Sequence, residues 1–434
     1  MRIGDSAECS KTELDLFNVP PTQTSIEEGF YDDIQAHSSF AQGSTIRFDI
    51  TGDSEHFINL AETEIHIQGF ICKANDTTVG FENTKKIGIV NNLLGSLFQQ
   101  AEISLNNKPV ENTNNMMHYR DYIYKTLGLS SQEKISQLAG NIYFKDQEQK
   151  ANTFAIVEAD ANFGWLKRRS KIMEKKPIQL QGRLSCDIFN LNHLMVSSVG
   201  LQIKLTKSQP KFYMLGEDEV ADYHFHYSEV FLRIKRNVIS PSVREALALT
   251  SEISPFKYPI NRVVLKPFVI PHASTKFTIT KICEGILPKR VIIGFIKTSA
   301  FDGAFRENPY EFKNMGLLTI SLKVNSKSLP VTEGLKLDYE NNKFLDGYRS
   351  LAKLNRKLDL SLEEYKSMYC FYAFDFNPDT GSTNHYSSLK DGQVDMEVTL
   401  SAALNDSHTA IAVLEYTNVI EISKTRQSNF DYLV

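Results

Sequence analysis

Leu97-Phe98-Gln99-Gln100-Ala101-Glu102-Ile103-Ser104-Leu105-Asn106-Asn107-Lys108-Pro109-Val110 reads as a strand running into a tight turn. Ala101, Ile103 and Leu105 alternate with polar residues, the period of a strand with one buried face. Asn106-Asn107-Lys108-Pro109 supplies the turn, since Asn tolerates a left-handed backbone and Pro ends a hydrogen-bonded ladder. After a polar segment, Tyr119-Arg120 opens a helix-like run to Leu127. The same order returns in the second half. Leu318-Thr319-Ile320-Ser321-Leu322-Lys323-Val324 alternates, Asn325-Ser326-Lys327-Ser328-Leu329-Pro330 turns, and Tyr348-Arg349 opens the next segment.

Two more echoes occur in the same order. Gly182-Arg183-Leu184 begins an alternating stretch to Phe189, and Gly392-Gln393-Val394 begins one to Leu400. Tyr227-Ser228-Glu229-Val230 starts a run to Lys235-Arg236, and Tyr416-Thr417-Asn418-Val419 starts one ending near Lys424 and Arg426. Ordered recurrence predicts two related domains in tandem, with loops of unequal length. Further short alternating runs include Ile46/Phe48/Ile50, Ile65/Ile67/Ile71, Leu201/Ile203/Leu205, Val230/Leu232/Ile234 and Phe277/Ile279. Helical periodicity shows only near Tyr119–Leu127 and Ser242–Leu249, so the class is all-β, built from antiparallel sandwiches with short helices in loops. Pro241-Ser242-Val243-Arg244-Glu245-Ala246 reads as a connector helix. The expected layout is an arm at 1–22, a first sandwich at 23–239, and a second at 240–434 with a short tail. About 200 residues suit an eight-stranded sandwich with long loops.

The chain has 434 residues, 41% hydrophobic and 23% charged, with net charge −4. That length fills two or three domain cores, and that charge gives no overall case for nucleic-acid binding. Met1-Arg2-Ile3-Gly4-Asp5-Ser6 lacks the apolar core of a secretory signal. No apolar run reaches the roughly 18 to 20 residues of a membrane span, so no membrane anchor is expected. The five cysteines, Cys9, Cys72, Cys186, Cys283 and Cys370, are scattered and odd in number, as expected of reduced thiols in a cytosolic or nuclear compartment. Asn75-Asp76-Thr77 and Asn405-Asp406-Ser407 match a glycosylation sequon that has no secretory context. The arm is either a frayed terminus or a segment that orders against a neighbouring subunit.

No catalytic, cofactor or metal site is expected. There is no Gly-x-Ser-x-Gly elbow, Gly-rich phosphate loop or His-Glu-x-x-His helix. His224-Phe225-His226 puts two imidazoles on one strand face, but no Cys or carboxylate lies at ligand spacing in sequence. Asp375 and Asp379 resemble an acid–base pair, yet Asn377-Pro378-Asp379-Thr380-Gly381 is turn chemistry, with Asp379 capping it. Tyr369, Phe371, Tyr372, Phe374 and Phe376 occupy both faces of one strand, predicting a buried central strand or an interface. Leu166-Lys167-Arg168-Arg169-Ser170-Lys171-Ile172-Met173-Glu174-Lys175-Lys176 is the one dense cationic segment. It reads as a solvated inter-strand loop, a nuclear address or a phosphate contact, placed near acidic loops such as Glu217-Asp218-Glu219.

With these motifs in place, the chain resembles the major capsid protein of Polinton (Maverick) elements, which is similar to the virophage major capsid proteins. The resemblance rests on Asp15-Leu16-Phe17-Asn18-Val19-Pro20-Pro21-Thr22-Gln23-Thr24, the Phe98–Pro109 hairpin, and Tyr119-Arg120-Asp121-Tyr122. It continues through Gly182-Arg183-Leu184-Ser185-Cys186-Asp187-Ile188-Phe189-Asn190, Leu287-Pro288-Lys289-Arg290-Val291, and Phe301-Asp302-Gly303. Asn308-Pro309-Tyr310-Glu311-Phe312 and Ala373-Phe374-Asp375-Phe376-Asn377-Pro378-Asp379 complete it. The resemblance implies a double jelly-roll and a non-enzymatic, structural subunit. It also implies a homotrimeric pseudo-hexagonal capsomer that contacts neighbouring capsomers and a single jelly-roll penton protein. The icosahedral shell would enclose double-stranded DNA with little direct binding, placing the protein in the virion after synthesis in the host cytoplasm, with nuclear assembly as an option. One departure is local: the family more often has Gly where this chain has Asn107 and Ser326, which leaves the turn type open. The competing expectation is a tandem β-sandwich that binds a ligand or carbohydrate, which predicts aromatic residues exposed at loop tips in a cleft; the single Trp165 borders the basic run instead.

Overall fold

The first hairpin forms where the alternation ends. In the computed structural model, which describes residues 11–17, 19–37, 40, 43–157, 160–329, 333–354, 357–378 and 386–430, Phe98–Leu105 pairs with Lys108–Asn112. Leu105 sits opposite Lys108, so the turn holds only Asn106 and Asn107, at φ 46° and 65°. Two successive left-handed residues make a type I′ turn, whose twist matches that of the flanking strands. Pro109, expected in the turn, instead lies within the returning strand at a sheet edge, where its missing N–H costs nothing. Val324 likewise faces Lys327 across Asn325 and Ser326, at φ 48° and 71°; Pro330, the end of that motif, lies outside the described residues. Ser326→Gly is therefore expected to raise stability by about 1 kcal/mol, and Asn107→Gly by less, because Asn tolerates this conformation better than Ser. Urea midpoints read both effects, and a lower midpoint for Ser326→Gly would refute this account of the turn.

The strands of the first half are β1 (Ile26–Gln35), β2 (Thr45–Ile50), β3 (His56–Lys73), β4 (Ile87–Ile89), β5 (Phe98–Leu105), β6 (Lys108–Asn112), β7 (Ile178–Gly182), β8 (Leu201–Lys207), β9 (Met214–Gly216) and β10 (Tyr223–Ile239). Those of the second are β11 (Phe256–Ile270), β12 (Lys276–Ile286), β13 (Arg290–Lys297), β14 (Leu317–Val324), β15 (Lys327–Leu329), β16 (Leu335–Lys336), β17 (Phe371–Asp375), β18 (Asp391–Leu400), β19 (His408–Ile422) and β20 (Ser428–Phe430). The sheets run β1-β10-β3-β7 and β2-β8-β5-β6, then β11-β19-β13-β17 and β12-β18-β14-β15. β16 and β20 attach to β14 and β19, and β4 pairs with β9. Substituting β11, β12, β13, β14, β15, β17, β18 and β19 for β1, β2, β3, β5, β6, β7, β8 and β10 converts one pair of sheets into the other. This is an all-β double jelly-roll with antiparallel pairing between its named strands.

Most of the echoed motifs fall on equivalent elements. Ile103 faces Ile203 on β8, and Ile320 faces Val398 on β18. Tyr119-Arg120 lies in the helix Met117–Gly128 and Tyr348-Arg349 in Leu345–Leu354, each ahead of β7 or its counterpart β17. Tyr227 and Tyr416 lie on the matching β10 and β19. The Gly182 echo fails. β7 ends at Gly182 and Asp187–Asn190 is a 3₁₀ turn, whereas Gly392 lies in β18, the counterpart of β8. Leu184 to Phe189 is buried on every side, and side-chain bonds to its backbone N–H groups replace ladder bonds.

The aromatic strand also differs from expectation. β17 is the edge of its sheet, not its centre. Phe371, Tyr372 and Phe374 are nevertheless buried, because the helix Leu345–Leu354 covers that edge and its Ser350 Oγ accepts from Ala373 N at 3.2 Å. The helix Pro241–Ser251, with no buried residue, links β10 to β11.

Candidate functional site

The two sandwiches meet along a seam of buried polar residues, and side chains from the recurring motifs hold it together. The helix Met117–Gly128 delivers Arg120 between Glu111 at the end of β6 and Asp187 on the 3₁₀ turn. Arg120 donates to Glu111 Oε1 at 2.8 Å, to Asp187 Oδ1, and to the Val263 carbonyl of β11 at 3.3 Å. Asp187 Oδ2 accepts from Val263 N at 3.1 Å, while Glu111 accepts from the N–H groups of Asp187 and Ile188. All three side chains are nearly inaccessible. Burial pushes the Asp187 carboxyl up to about 7, against the pull of the Arg120 guanidinium. The arrangement joins the halves; its charged groups are spent on one another and on the backbone, which leaves none directed at a substrate.

A second junction lies in the segment read as a basic loop. Residues Phe163–Ile172 form a helix, capped by Asn162 accepting from Trp165 N at 3.3 Å. Trp165, Arg168, Arg169 and Ile172 fall on its inner face at helical spacing. Arg168 is 0% exposed and donates to Ile89 O, Phe144 O and Asp146. Asp146 also accepts from Asn162 Nδ2 at 2.8 Å and from Asn308 Nδ2 of the second half at 2.9 Å. Arg169 is buried against the carbonyls of Asn83 and Lys85. This corrects the loop expectation: two of the cations hold the fold, and Lys167, Lys171 and Lys176 are the exposed ones. Glu217 and Glu219 pair with Lys86 and Lys85, not with the basic segment.

Between these junctions, Tyr310 stacks on Tyr122 with ring centroids 3.8 Å apart, and its hydroxyl meets Ser96 Oγ at 2.8 Å. Nothing in the sequence announces these pairings, because each joins residues far apart in the chain.

The remaining candidates separate. Asp375 accepts from Asn377 N at 3.0 Å, as a turn residue does; its suggested partner Asp379 lies outside the described residues, as does Cys9. Cys72, Cys186, Cys283 and Cys370 are free and buried. Trp165 is 1% exposed, so it lines no open cleft. His224 and His226 share the outer face of β10, and strand pairing brings Cys72 of β3 directly opposite His224. Reading by sequence missed that thiol because register between distant strands is invisible locally. On the arm, Leu14, Leu16, Phe17 and Val19 are 70 to 96% exposed, an apolar run that the described residues leave uncovered.

No family model matches the sequence. An uncharacterized protein of Caenorhabditis elegans is 19% identical over 399 residues, spanning 88% of this chain and 91% of that protein. A chain of the Sputnik virophage overlays 99% of this chain and 94% of its own length, with TM-score 0.68 and 11% identity. The Faustovirus major capsid protein covers 95% of this chain and 93% of its own at TM-score 0.59 and 9% identity. The mavirus major capsid protein covers 99% and 96% at TM-score 0.53 and 10% identity. From β1 to β19, the chain has the double jelly-roll fold of these viral proteins.

Proposed function

We propose that this chain is a major capsid protein of the Polinton (Maverick) and virophage-like kind, a structural subunit with no catalytic role. The observation that carries the reading is one strand order used twice, in a chain that overlays 99% of its length on the Sputnik virophage chain. Residues 23–239 and 240–434 serve as the two sandwiches, and 1–22 as an arm. Three copies, each bringing two similar sandwiches, make an object with nearly sixfold edges, which packs into flat facets. The fivefold corners then take a single jelly-roll penton protein. Exposed Leu14, Leu16, Phe17 and Val19 favour an arm that docks on a neighbouring subunit over one that frays. Double-stranded DNA is enclosed with few direct contacts, since the net charge is −4 and Arg168 and Arg169 are committed to the interior. The site of action is the virion.

Light scattering on the purified full chain is expected to give a trimer, with interfaces on the order of 2,000 Å² each. Negative-stain images are expected to show pseudo-hexagonal capsomers. A folded monomer at micromolar concentration would sink the proposal. Filter binding to random duplex at about 150 mM salt is expected to detect nothing, and sub-micromolar affinity would make the protein a direct DNA binder.

A further inference from the structure

We propose that Cys72, His224 and His226 form a binding site for one thiophilic transition-metal ion, of the Zn²⁺ or Cu⁺ class. Among the described residues they are the one group of three such side chains whose ligand atoms converge, all within 4.8 Å of one another. The backbone dictates the convergence. Cys72 is the cross-strand partner of His224, and His226 lies two residues further along β10, opposite Phe70. Directly opposed and diagonal residues on one sheet face are the pairs whose side chains can touch. β3 and β10 are adjacent inner strands of their sheet, so the scaffold under the ligands is rigid.

Three further observations point to an ion. His224 Nδ1 is buried and makes no hydrogen bond, an unmet demand that coordination would satisfy. The Cys72 thiol is fully buried, shielded from oxidants, while both imidazoles retain some exposure and leave an entry path. The ligand set selects the metal. One sulfur and two imidazole nitrogens with no carboxylate suit Zn²⁺ or Cu⁺ and reject Mg²⁺ and Ca²⁺, which require oxygen. Tetrahedral Zn²⁺ would hold such ligands about 3.3 to 3.6 Å apart, so occupancy needs the three side chains to close in on one another. The Lys175 ammonium over the Phe70 ring, 4.6 Å from its centroid, adds positive charge nearby. Three protein ligands leave a fourth position for water or for a group from a neighbouring subunit.

Co²⁺ is the probe, because its thiolate complex absorbs in the near ultraviolet. Titration of the full chain is expected to give a thiolate-to-cobalt band that saturates at one ion per chain and disappears on adding Zn²⁺. Cys72→Ser, close to isosteric, is expected to abolish the band; Cys9→Ser is expected to leave it intact. His226→Ala trims a partly exposed side chain and is expected to weaken binding about tenfold or more. Zn²⁺ is expected to raise the melting temperature of the wild type and of Cys9→Ser, to raise that of His226→Ala less, and to leave that of Cys72→Ser unchanged. Absence of the band in folded wild type overturns the proposal, as does a band that survives Cys72→Ser. Should Cys72→Ser fail to fold, undiminished affinity in His226→Ala overturns it instead.

Discussion

Arg120→Ala is expected to lower the unfolding free energy by about 3 to 5 kcal/mol, the cost of leaving a buried ionic group without its partner. The guanidinium bridges Glu111 and Asp187, and it also bonds Val263 of the second sandwich. Its removal leaves two carboxylates facing each other away from water. Asp187, which burial already raises to about 7, loses the guanidinium that holds it down and rises further, so the folded variant is penalised more than the wild type as pH rises. The gap between wild-type and variant urea midpoints is therefore expected to be wider near pH 8 than near pH 5. Arg120→Lys rescues little, since one ammonium cannot reproduce the forked contacts. Changing Arg120 to Met together with Glu111→Gln and Asp187→Asn removes the charges on both sides and is expected to recover part of the loss. A cost below about 1 kcal/mol for Arg120→Ala would show that the ion pair contributes little to the seam.

Arg168→Ala is expected to cost a similar amount, about 3 to 5 kcal/mol, while Lys167→Ala stays within about 0.5 kcal/mol. Arg168 is inaccessible and serves two carbonyls and Asp146, whereas the neighbouring Lys167 is exposed beside the Phe144 ring. Trp165, one turn away on the same buried face, reports the loss through its fluorescence. Equal midpoints for the two variants would contradict the helix placement. The contrast also governs any DNA experiment: replacing Lys167, Arg168 and Arg169 together removes two structural residues along with one surface charge. Binding lost in that triple variant would report unfolding, so Lys167, Lys171 and Lys176 are the residues to change.

The sheets were legible because period-two burial is a local signal. Ala101, Ile103 and Leu105 are buried as the alternation predicts, and so are Ile320 and Leu322. The helix around Tyr119 was legible through its 3.6-residue period, and the one at Ser242 through the Ser240-Pro241 start signal ahead of it. Phe163–Ile172 was not, because its inner face is built partly from Arg168 and Arg169, which a hydrophobic period cannot count. Gly182 misled because Leu184, Cys186 and Ile188 alternate without pairing: their segment is recruited by Glu111 and Arg120 from elsewhere in the chain. The seam and the Cys72–His224–His226 group were out of reach for one cause, since both depend on which strands become neighbours.

The link between the two sandwiches has its own consequence. The helix Pro241–Ser251 buries none of its residues, and beyond it Ile253 is 91% exposed. Meanwhile Arg120 with Val263, Asp146 with Asn308, and Tyr122 with Tyr310 bind one half to the other without using that peptide. A protease that nicked the helix would sever the polypeptide and leave the body whole. Tandem fusion therefore fixes the two sandwiches at equal copy number and in fixed order, while their cohesion belongs to the surfaces. Two separate polypeptides with the same seam would dock as this one does, at the entropic cost of having to meet.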